Sequence, residues 1–159
     1  MPLPFQPRQG AVVLCDFRGM IEPEMVKRRE VVVIARHKHN GQLVTVVPLS
    51  ATEPERPETY HYRLSKDPRP DGDPTKTIWA KCDMVYTLCL ERLDMHYTRT
   101  RRGARQSVRV QLPPEDIAAI RLCVAAALQL TDNRGVPARG LESGSATALN
   151  QPERHHDDK

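Results

Sequence analysis

Apolar residues come in short runs along the first two thirds of the chain, and stretches rich in proline, glycine and charge separate them. Runs of β-branched and aromatic residues bounded in this way are typical of β-strands. The pattern predicts strands at 11–17, 30–36, 42–49, 60–64, 77–84 and 106–112, with 85–93 continuing as a strand or a helical turn. The β-branched run at 31–34 indicates a strand buried on both faces. Asn40-Gly41 predicts a hairpin, so the second and third strands should pair antiparallel.

A helix is predicted after the last strand. Residues 113–116 read Pro-Pro-Glu-Asp, and proline and acidic residues favour the first turn of a helix. The helix should run to about Leu130 and present one broad apolar face. The apolar positions on that face are Ile117, Ile120, Leu122, Val124 and Leu128. Many short strands followed by one helix predict a mainly β (α+β) fold, a small antiparallel barrel with the helix packed on it.

Both ends of the chain lack this pattern. Residues 1–9 are rich in proline and predict a flexible arm. Residues 131–159 combine glycine, proline, serine and charge with little apolar content, which predicts a disordered tail. A single domain, residues 10–130, is left between them, and a domain of that size needs no disulfide or metal to hold its core.

The charge of the chain is positive and uneven. The formal net charge is +4 and the pI about 9.0, which favours an anionic partner. Five arginines and no acidic residue lie between positions 96 and 109. Those arginines are Arg99, Arg101, Arg102, Arg105 and Arg109. The segment is either a solvated hairpin or a surface that follows nucleic-acid phosphates, and charge patterning leaves both interpretations open.

Several classes of protein are disfavoured by composition. The chain has no apolar run of the roughly 18 residues that a membrane helix needs, and its first ten residues do not resemble a secretory signal. Four cysteines without CxxC spacing indicate reduced thiols and no metal site. We therefore expect a cytoplasmic protein that does not associate with membranes.

Four segments in a fixed order carry a family resemblance. They read GAVVLCDF at 10–17, KRREVVVI at 27–34, VVPLS at 46–50 and AKCDMVYT at 80–87. Together they resemble the MazF/PemK family of toxins from bacterial toxin–antitoxin pairs. The sequence departs from the family pattern at Glu30, where proline is usual, at Ser50, which replaces threonine, and at Met84, which replaces glutamine. The stretch 94–110 is also longer than the resemblance leads us to expect.

The resemblance implies an SH3-like, PemK-type β-barrel with a C-terminal helix. It implies a metal-independent endoribonuclease without cofactors, the toxin of a type II system that inhibits growth. In such an enzyme a ribose 2′-hydroxyl attacks its own phosphate and leaves a cyclic phosphate and a free 5′-hydroxyl. The expected partners are single-stranded RNA, a cognate antitoxin and a second copy of the chain.

The resemblance also suggests catalytic residues, each with a plain structural alternative. Arg29 is the candidate for binding the phosphate, since a guanidinium offers paired donors and stays protonated; otherwise it is an ordinary strand-edge arginine. Ser50 is a phosphate-binding hydroxyl or a turn-capping one. Asp83 is a general base or a structural carboxylate. Lys81, placed on the same strand face as Asp83, is expected to protonate or stabilise the leaving oxygen.

Further residues are expected to contact RNA outside the reacting centre. Glu24 positions Arg29 or RNA in this interpretation, and it is otherwise a solvated loop acid. Arg28 neighbours Arg29, and adjacent strand residues point to opposite faces, so only one of the two should enter the site. The remaining candidates are Arg99, Arg101, Arg102 and Arg105.

Two other functions fit the same sequence. One is a catalytically degenerate member of this fold that only binds RNA, an antitoxin or gyrase, as the gyrase-poisoning toxins of related fold do. The other is a basic nucleic-acid-binding domain whose main feature is the arginine-rich segment. RNA cleavage separates the first hypothesis from both alternatives.

Overall fold

Residues 3–130 are described by a computed structural model. Within this range ten short strands and one 3₁₀ turn precede a C-terminal α-helix. The strands are β1 (Ala11–Cys15), β2 (Arg29–Arg36), β3 (Leu43–Ser50), β4 (His61–Arg63), β5 (Trp79–Lys81), β6 (Tyr86–Cys89), β7 (Leu93–Asp94), β8 (His96–Arg99), β9 (Arg105–Val108) and β10 (Val110–Gln111). The 3₁₀ turn is Leu90–Arg92, and the helix α1 is Pro114–Ala127.

The main sheet is antiparallel and runs in the order β10-β1-β2-β3-β5-β4, with β6 also paired to β3 and β7 to β1. Strands β2 and β3 pair antiparallel, as Asn40-Gly41 predicts, with Val31 opposite Pro48 and a register shift between Val33 and Ala35. Strands β8 and β9 form a separate two-stranded sheet. A mostly antiparallel fold with one C-terminal helix is therefore confirmed.

Strand β2 divides two hydrophobic clusters, because its side chains alternate between the faces of the sheet. Val32 and Ile34 belong to one cluster, beneath α1. Val31 and Val33 belong to the other, with Phe17 and Leu93. All four β2 residues are buried, so the prediction of a strand covered on both faces is confirmed.

Helix α1 buries a narrower face than the sequence pattern predicts. Ile117 and Ile120 are buried and Val124 packs beside them, at the spacings of three and four that share a helix face. Leu122 and Leu128 are exposed by 61% and 55%. Leu122 lies only two positions from Ile120, so it points away from the sheet, and the prediction of one broad apolar face is wrong.

The segment before β1 is bound to the sheet. Leu3 is buried, and its N–H donates to the Leu93 carbonyl oxygen at 3.1 Å. The Gln6 amide donates to the Leu43 carbonyl oxygen at 2.8 Å. The expectation of a flexible arm over 1–9 therefore fails for residues 3–9, because a buried leucine and backbone acceptors hold them. The predicted tail, 131–159, lies outside the described residues.

Two strand predictions need correction. The strand expected over 77–84 is only β5, which ends at Lys81, and a turn follows at Cys82 and Asp83. The strand expected over 106–112 is divided into β9 and β10, which belong to different sheets. Within the described range, no helix is long and apolar enough to cross a membrane.

Candidate active site

Arg29 opens β2 opposite Cys15 of β1 and borders an open groove of about 560 Å³ against the loop 22–27. Its Nε is buried and has no hydrogen-bond partner among the described residues. Buried polar groups in folded proteins nearly always have a partner. Arg29 therefore has an unused, buried Nε donor, and its side chain belongs to a residue that borders the groove.

Glu24 lies on the same groove as Arg29. Its carboxylate accepts a hydrogen bond from the Ile21 N–H at 2.8 Å, which closes a turn of the loop. Glu24 and Arg29 thus border one groove, and the Glu24 carboxylate also has a local structural task in its loop.

Arg28 faces a different hollow. It forms an ion pair with Asp94 at 2.7 Å and lines a groove with Asp16 and Arg18. Arg28 precedes the first residue of β2, and of the two arginines only Arg29 lines the groove of the 22–27 loop.

Ser50 ends β3 and is buried, opposite Trp79 of β5. Its Oγ accepts a hydrogen bond from the Thr52 N–H at 3.1 Å, so the turn-capping interaction is made. Ser50 also borders a small cavity of about 40 Å³ with Glu30 and Arg69. A hydroxyl that accepts one hydrogen bond still has its own proton to donate, and this cavity is where Ser50 can offer it.

Lys81 ends β5, the strand that pairs with the end of β3 where Ser50 lies. Leu49 pairs with Ala80, so Ser50 and Lys81 lie on either side of that pair. Strands β2, β3 and β5 are consecutive in the sheet, and they carry Arg29, Ser50 and Lys81 respectively. The candidate residues therefore come from three neighbouring strands, although Arg29 and Ser50 border separate hollows.

Asp83 occupies a different position from the one predicted. It is exposed in the turn after β5, and the Met84 N–H closes this turn on the Lys81 carbonyl oxygen at 3.0 Å. Because the strand ends at Lys81, the argument that Lys81 and Asp83 share a strand face does not apply. Asp83 is instead a solvent-accessible carboxylate two residues beyond the lysine.

The arginine-rich segment forms the hairpin β8–β9. Arg99 is opposite Arg105, and the Arg105 guanidinium lies 4.4 Å from the centre of the Tyr97 ring. Arg99, Arg101, Arg102 and Arg105 are all exposed. The segment is thus a hairpin with exposed arginines, an arrangement compatible with a solvated surface and with one that follows phosphates.

Two residues near the small cavity escaped sequence analysis. His96 is buried, and its Nε2 has no partner among the described residues. Burial lowers the pKa of His96; the charge of Glu30 opposes this, while Arg69 and Arg28 add to it. Arg69 is held by Asp67, whose carboxylate accepts from its Nε at 2.9 and 3.0 Å. Nothing in the local sequence marks His96 as buried, because it lies among polar residues and only packing covers it.

Glu30 interacts through its charge with both His96 and Arg69. It takes the position where the resemblance leads us to expect proline, and it borders the Ser50 cavity with Asp67 and Arg69. Among residues 3–130, no cluster of three or more His, Cys, Asp or Glu side chains has an arrangement that could hold a metal ion.

Comparisons with solved structures identify the class of fold. An endoribonuclease in complex with its cognate antitoxin, from a mycobacterial species, aligns with a TM-score of 0.52 and 19% identity over 79% of this chain and 98% of that one. A MazF from Deinococcus radiodurans aligns with a TM-score of 0.51 and 15% identity over 77% of this chain and 96% of the other. At such identities the likeness establishes the fold, a small antiparallel sheet with a C-terminal helix.

The sequence itself identifies the family. The profile described as "PemK-like, MazF-like toxin of type II toxin-antitoxin system" matches residues 8–128. An Escherichia coli K12 protein, called putative uncharacterized protein YifN, is 31% identical over 144 residues, 78% of this chain and 93% of that protein. The chain therefore belongs to the PemK-like, MazF-like toxins of type II toxin–antitoxin systems.

Proposed function

We propose that this protein is the toxin of a toxin–antitoxin pair and cleaves single-stranded RNA without a metal ion. The 2′-hydroxyl of one nucleotide attacks its own phosphate, which gives a cyclic phosphate and a free 5′-hydroxyl. The observation that carries this proposal is the Arg29 guanidinium, whose buried Nε lacks a partner beside an open groove. Family membership supports the same assignment.

Arg29 binds the scissile phosphate in this proposal. Its planar donors suit two phosphate oxygens, and its charge persists at every physiological pH. Negative charge grows on those oxygens as the 2′-oxygen attacks, so a fixed cation stabilises the transition state more than the ground state. Ser50 adds the proton of its hydroxyl, because its oxygen is already occupied by the Thr52 N–H.

Asp83 and Lys81 supply the proton transfers. Asp83 is exposed, so RNA can reach its carboxylate, which takes the proton of the 2′-hydroxyl as general base. Lys81, half-buried at the end of β5, neutralises or protonates the departing 5′-oxygen. Substrate binding has to bring these two groups to the phosphate, because neither borders the hollow that holds Arg29.

RNA on either side of the reacting phosphate is held by basic side chains. The exposed hairpin arginines follow the backbone through charge, a contact that carries no sequence information. Arg28 and Glu24 lie near Arg29, at the start of β2, and position the RNA strand there. We place the protein in the cytoplasm as a homodimer, with RNA in the groove between protomers and an antitoxin segment that folds over this groove.

One observation favours a second candidate, a binding protein that cleaves nothing. Ser50 is engaged in its own turn, and Glu30 brings a negative charge to the cavity that Ser50 borders. A negative group there opposes phosphate binding, so this arrangement suits a degenerate toxin that holds RNA or an antitoxin.

Incubation of the purified full chain with mixed-sequence RNA, with and without EDTA, separates the two. We expect fragments with cyclic-phosphate and 5′-hydroxyl ends in both conditions. RNA that stays intact while bound supports the binding protein, and cleavage that stops with the chelator contradicts the metal-independent mechanism.

A further inference from the structure

Two cysteines meet next to the proposed proton-transfer residues. Cys82 is fully buried in the turn between Lys81 and Asp83. Cys123 is a half-buried residue of α1 that packs on the same hydrophobic cluster. Both are free thiols.

The helix and the turn are held in place independently of the two thiols. Asp116 of α1 accepts hydrogen bonds from the Tyr62 hydroxyl at 2.8 Å and the Ser65 hydroxyl at 2.9 Å. Cys123 follows Asp116 by seven residues, two helical turns, so both lie on the same face of α1. The turn is fixed beside the same strand β4, because the Cys82 N–H donates to the Tyr60 carbonyl oxygen at 3.2 Å.

The contact makes the two thiols unequal. The Cys82 and Cys123 side chains are in hydrogen-bond contact, and the Cys82 thiol donates to the Ala80 carbonyl oxygen at 3.7 Å. This contact between the two side chains lowers the pKa of Cys123. It raises the pKa of Cys82, and burial acts in the same direction. The thiolate is the reactive form of cysteine, so the more accessible thiol is also the more reactive.

We propose that Cys82 and Cys123 form a peroxide-sensitive pair that closes to a disulfide. The Cys123 thiolate attacks one oxygen of a hydroperoxide and the O–O bond breaks, which leaves a sulfenic acid and hydroxide. That hydroxide takes the Cys82 proton and becomes water. The Cys82 thiolate then attacks the Cys123 sulfur, the S–S bond forms, and a second hydroxide leaves and is protonated. Two thiols are oxidised and one hydrogen peroxide is reduced to two waters.

Disulfide closure displaces the turn that carries Lys81 and Asp83. An S–S bond is about 2.05 Å long, far shorter than a thiol hydrogen bond, so the sulfurs approach by on the order of 1 Å or more. A misplacement of about 1 Å costs on the order of 10² in rate where groups must align. The effect on cleavage rests on the proposed function, whereas the disulfide itself does not. Reduction by a dithiol restores the open turn.

The disulfide is tested on the full chain treated with hydrogen peroxide, after which free thiols are blocked and the protein is digested with trypsin. Cys82 and Cys89 share the fragment 82–92, and Cys123 lies in 122–134. A Cys89→Ser background therefore assigns the cross-link to Cys82. We expect the two fragments to be joined in Cys89→Ser and separate in Cys89→Ser/Cys123→Ser. Separate fragments in both proteins, with the two thiols free or individually oxidised, overturn the proposal.

RNA cleavage provides the second readout. We expect peroxide to lower cleavage by wild type on the order of 10²-fold and dithiothreitol to restore it. Cys123→Ser should keep its activity in peroxide, since no disulfide forms. A complete cross-link with unchanged cleavage overturns the regulatory effect. Reduced protein that leaves RNA intact contradicts the proposed function instead, and the cross-linking result stands on its own.

Discussion

At the scale of single residues, Arg29 differs from the other cations of the structure. Arg18, Arg28 and Arg69 each pair with an aspartate. The Nε of Arg29 is buried and unpaired within residues 3–130, and an unpaired buried donor costs about 1–3 kcal/mol. A ligand that accepts from this group would recover part of that cost, which is why the proposed function depends on it.

Replacement of Arg29 tests this argument. Arg29→Ala should reduce RNA cleavage on the order of 10²–10³-fold, because one transition-state donor is lost. Arg29→Lys should recover part of the activity, since it keeps the charge and loses the fork of donors. Arg36→Ala, at the other end of the same strand, is the matched control. Initial rates of cleavage measure the effect, and near-normal turnover by a folded Arg29→Ala protein would contradict the assignment.

At the scale of elements, the hairpin β8–β9 stands apart from the main sheet. Within residues 3–130 its two strands pair only with each other, and its turn is closed by hydrogen bonds between Thr100 and both Gly103 and Ala104. Gly103 has a φ of +79°, a conformation that glycine adopts without strain. Arginines on this hairpin can therefore be exchanged while the turn residues and the core remain.

We predict that the hairpin arginines determine the salt dependence of RNA binding. Combined replacement of Arg99, Arg101, Arg102 and Arg105 by alanine should make the negative slope of the log binding constant against log salt concentration less steep. The reduction is about 0.7 for each phosphate contact that is lost. Titration of a 2′-O-methyl RNA, which has no attacking hydroxyl, measures binding without cleavage. Arg121→Ala, an exposed arginine of α1, is the control, and an unchanged slope would refute the role.

At the scale of the whole molecule, His96, a buried residue of β8, couples stability to pH. Its pKa is lowered in the folded state by burial and by Arg69 and Arg28, against the charge of Glu30. Below its ordinary pKa of about 6.5, the unfolded chain binds a proton that the folded chain resists. The free energy of unfolding should therefore fall as pH drops through this region, and be unaffected by His96 well above it.

Denaturant titrations at pH 7.5 and pH 5.5 test this coupling. Wild type should lose stability between the two conditions, and His96→Gln should lose less, because glutamine does not titrate. His39→Gln, which changes an exposed histidine, should behave as wild type. Equal losses in wild type and His96→Gln would show that His96 is protonated as readily in the folded state as in the unfolded one.

Local pattern was sufficient where an element's neighbours are close in sequence. The run 31–34 and the turn at Asn40-Gly41 predict β2, β3 and their pairing because a hairpin needs only adjacent residues. Arg28 and Arg29 line different grooves, as the alternation of neighbouring residues predicts, although Arg28 precedes the first residue of β2. The exposed hairpin and the start of α1 follow for the same reason.

Contacts between distant segments were beyond that reasoning. Asp83 lies off β5 because the turn at Cys82 is fixed by Tyr60, in the turn that precedes β4. Leu122 is exposed because α1 is oriented by Tyr62 and Ser65 on Asp116. Residues 3–9 pack because Leu43 and Leu93 offer backbone acceptors. The sequence of each segment does not reveal which distant residue constrains it.

The sequence by itself determined the order of strands and helix, the family and the residues whose chemistry suits a phosphate, because periodicity and short motifs are properties of neighbouring positions. The tertiary structure alone decided the environment of each side chain. It left Arg29 with an unused donor, joined Ser50 to Thr52, buried His96 beside Glu30 and brought Cys82 against Cys123. These environments arise from long-range packing, and the free energy of burial depends on everything that surrounds a group.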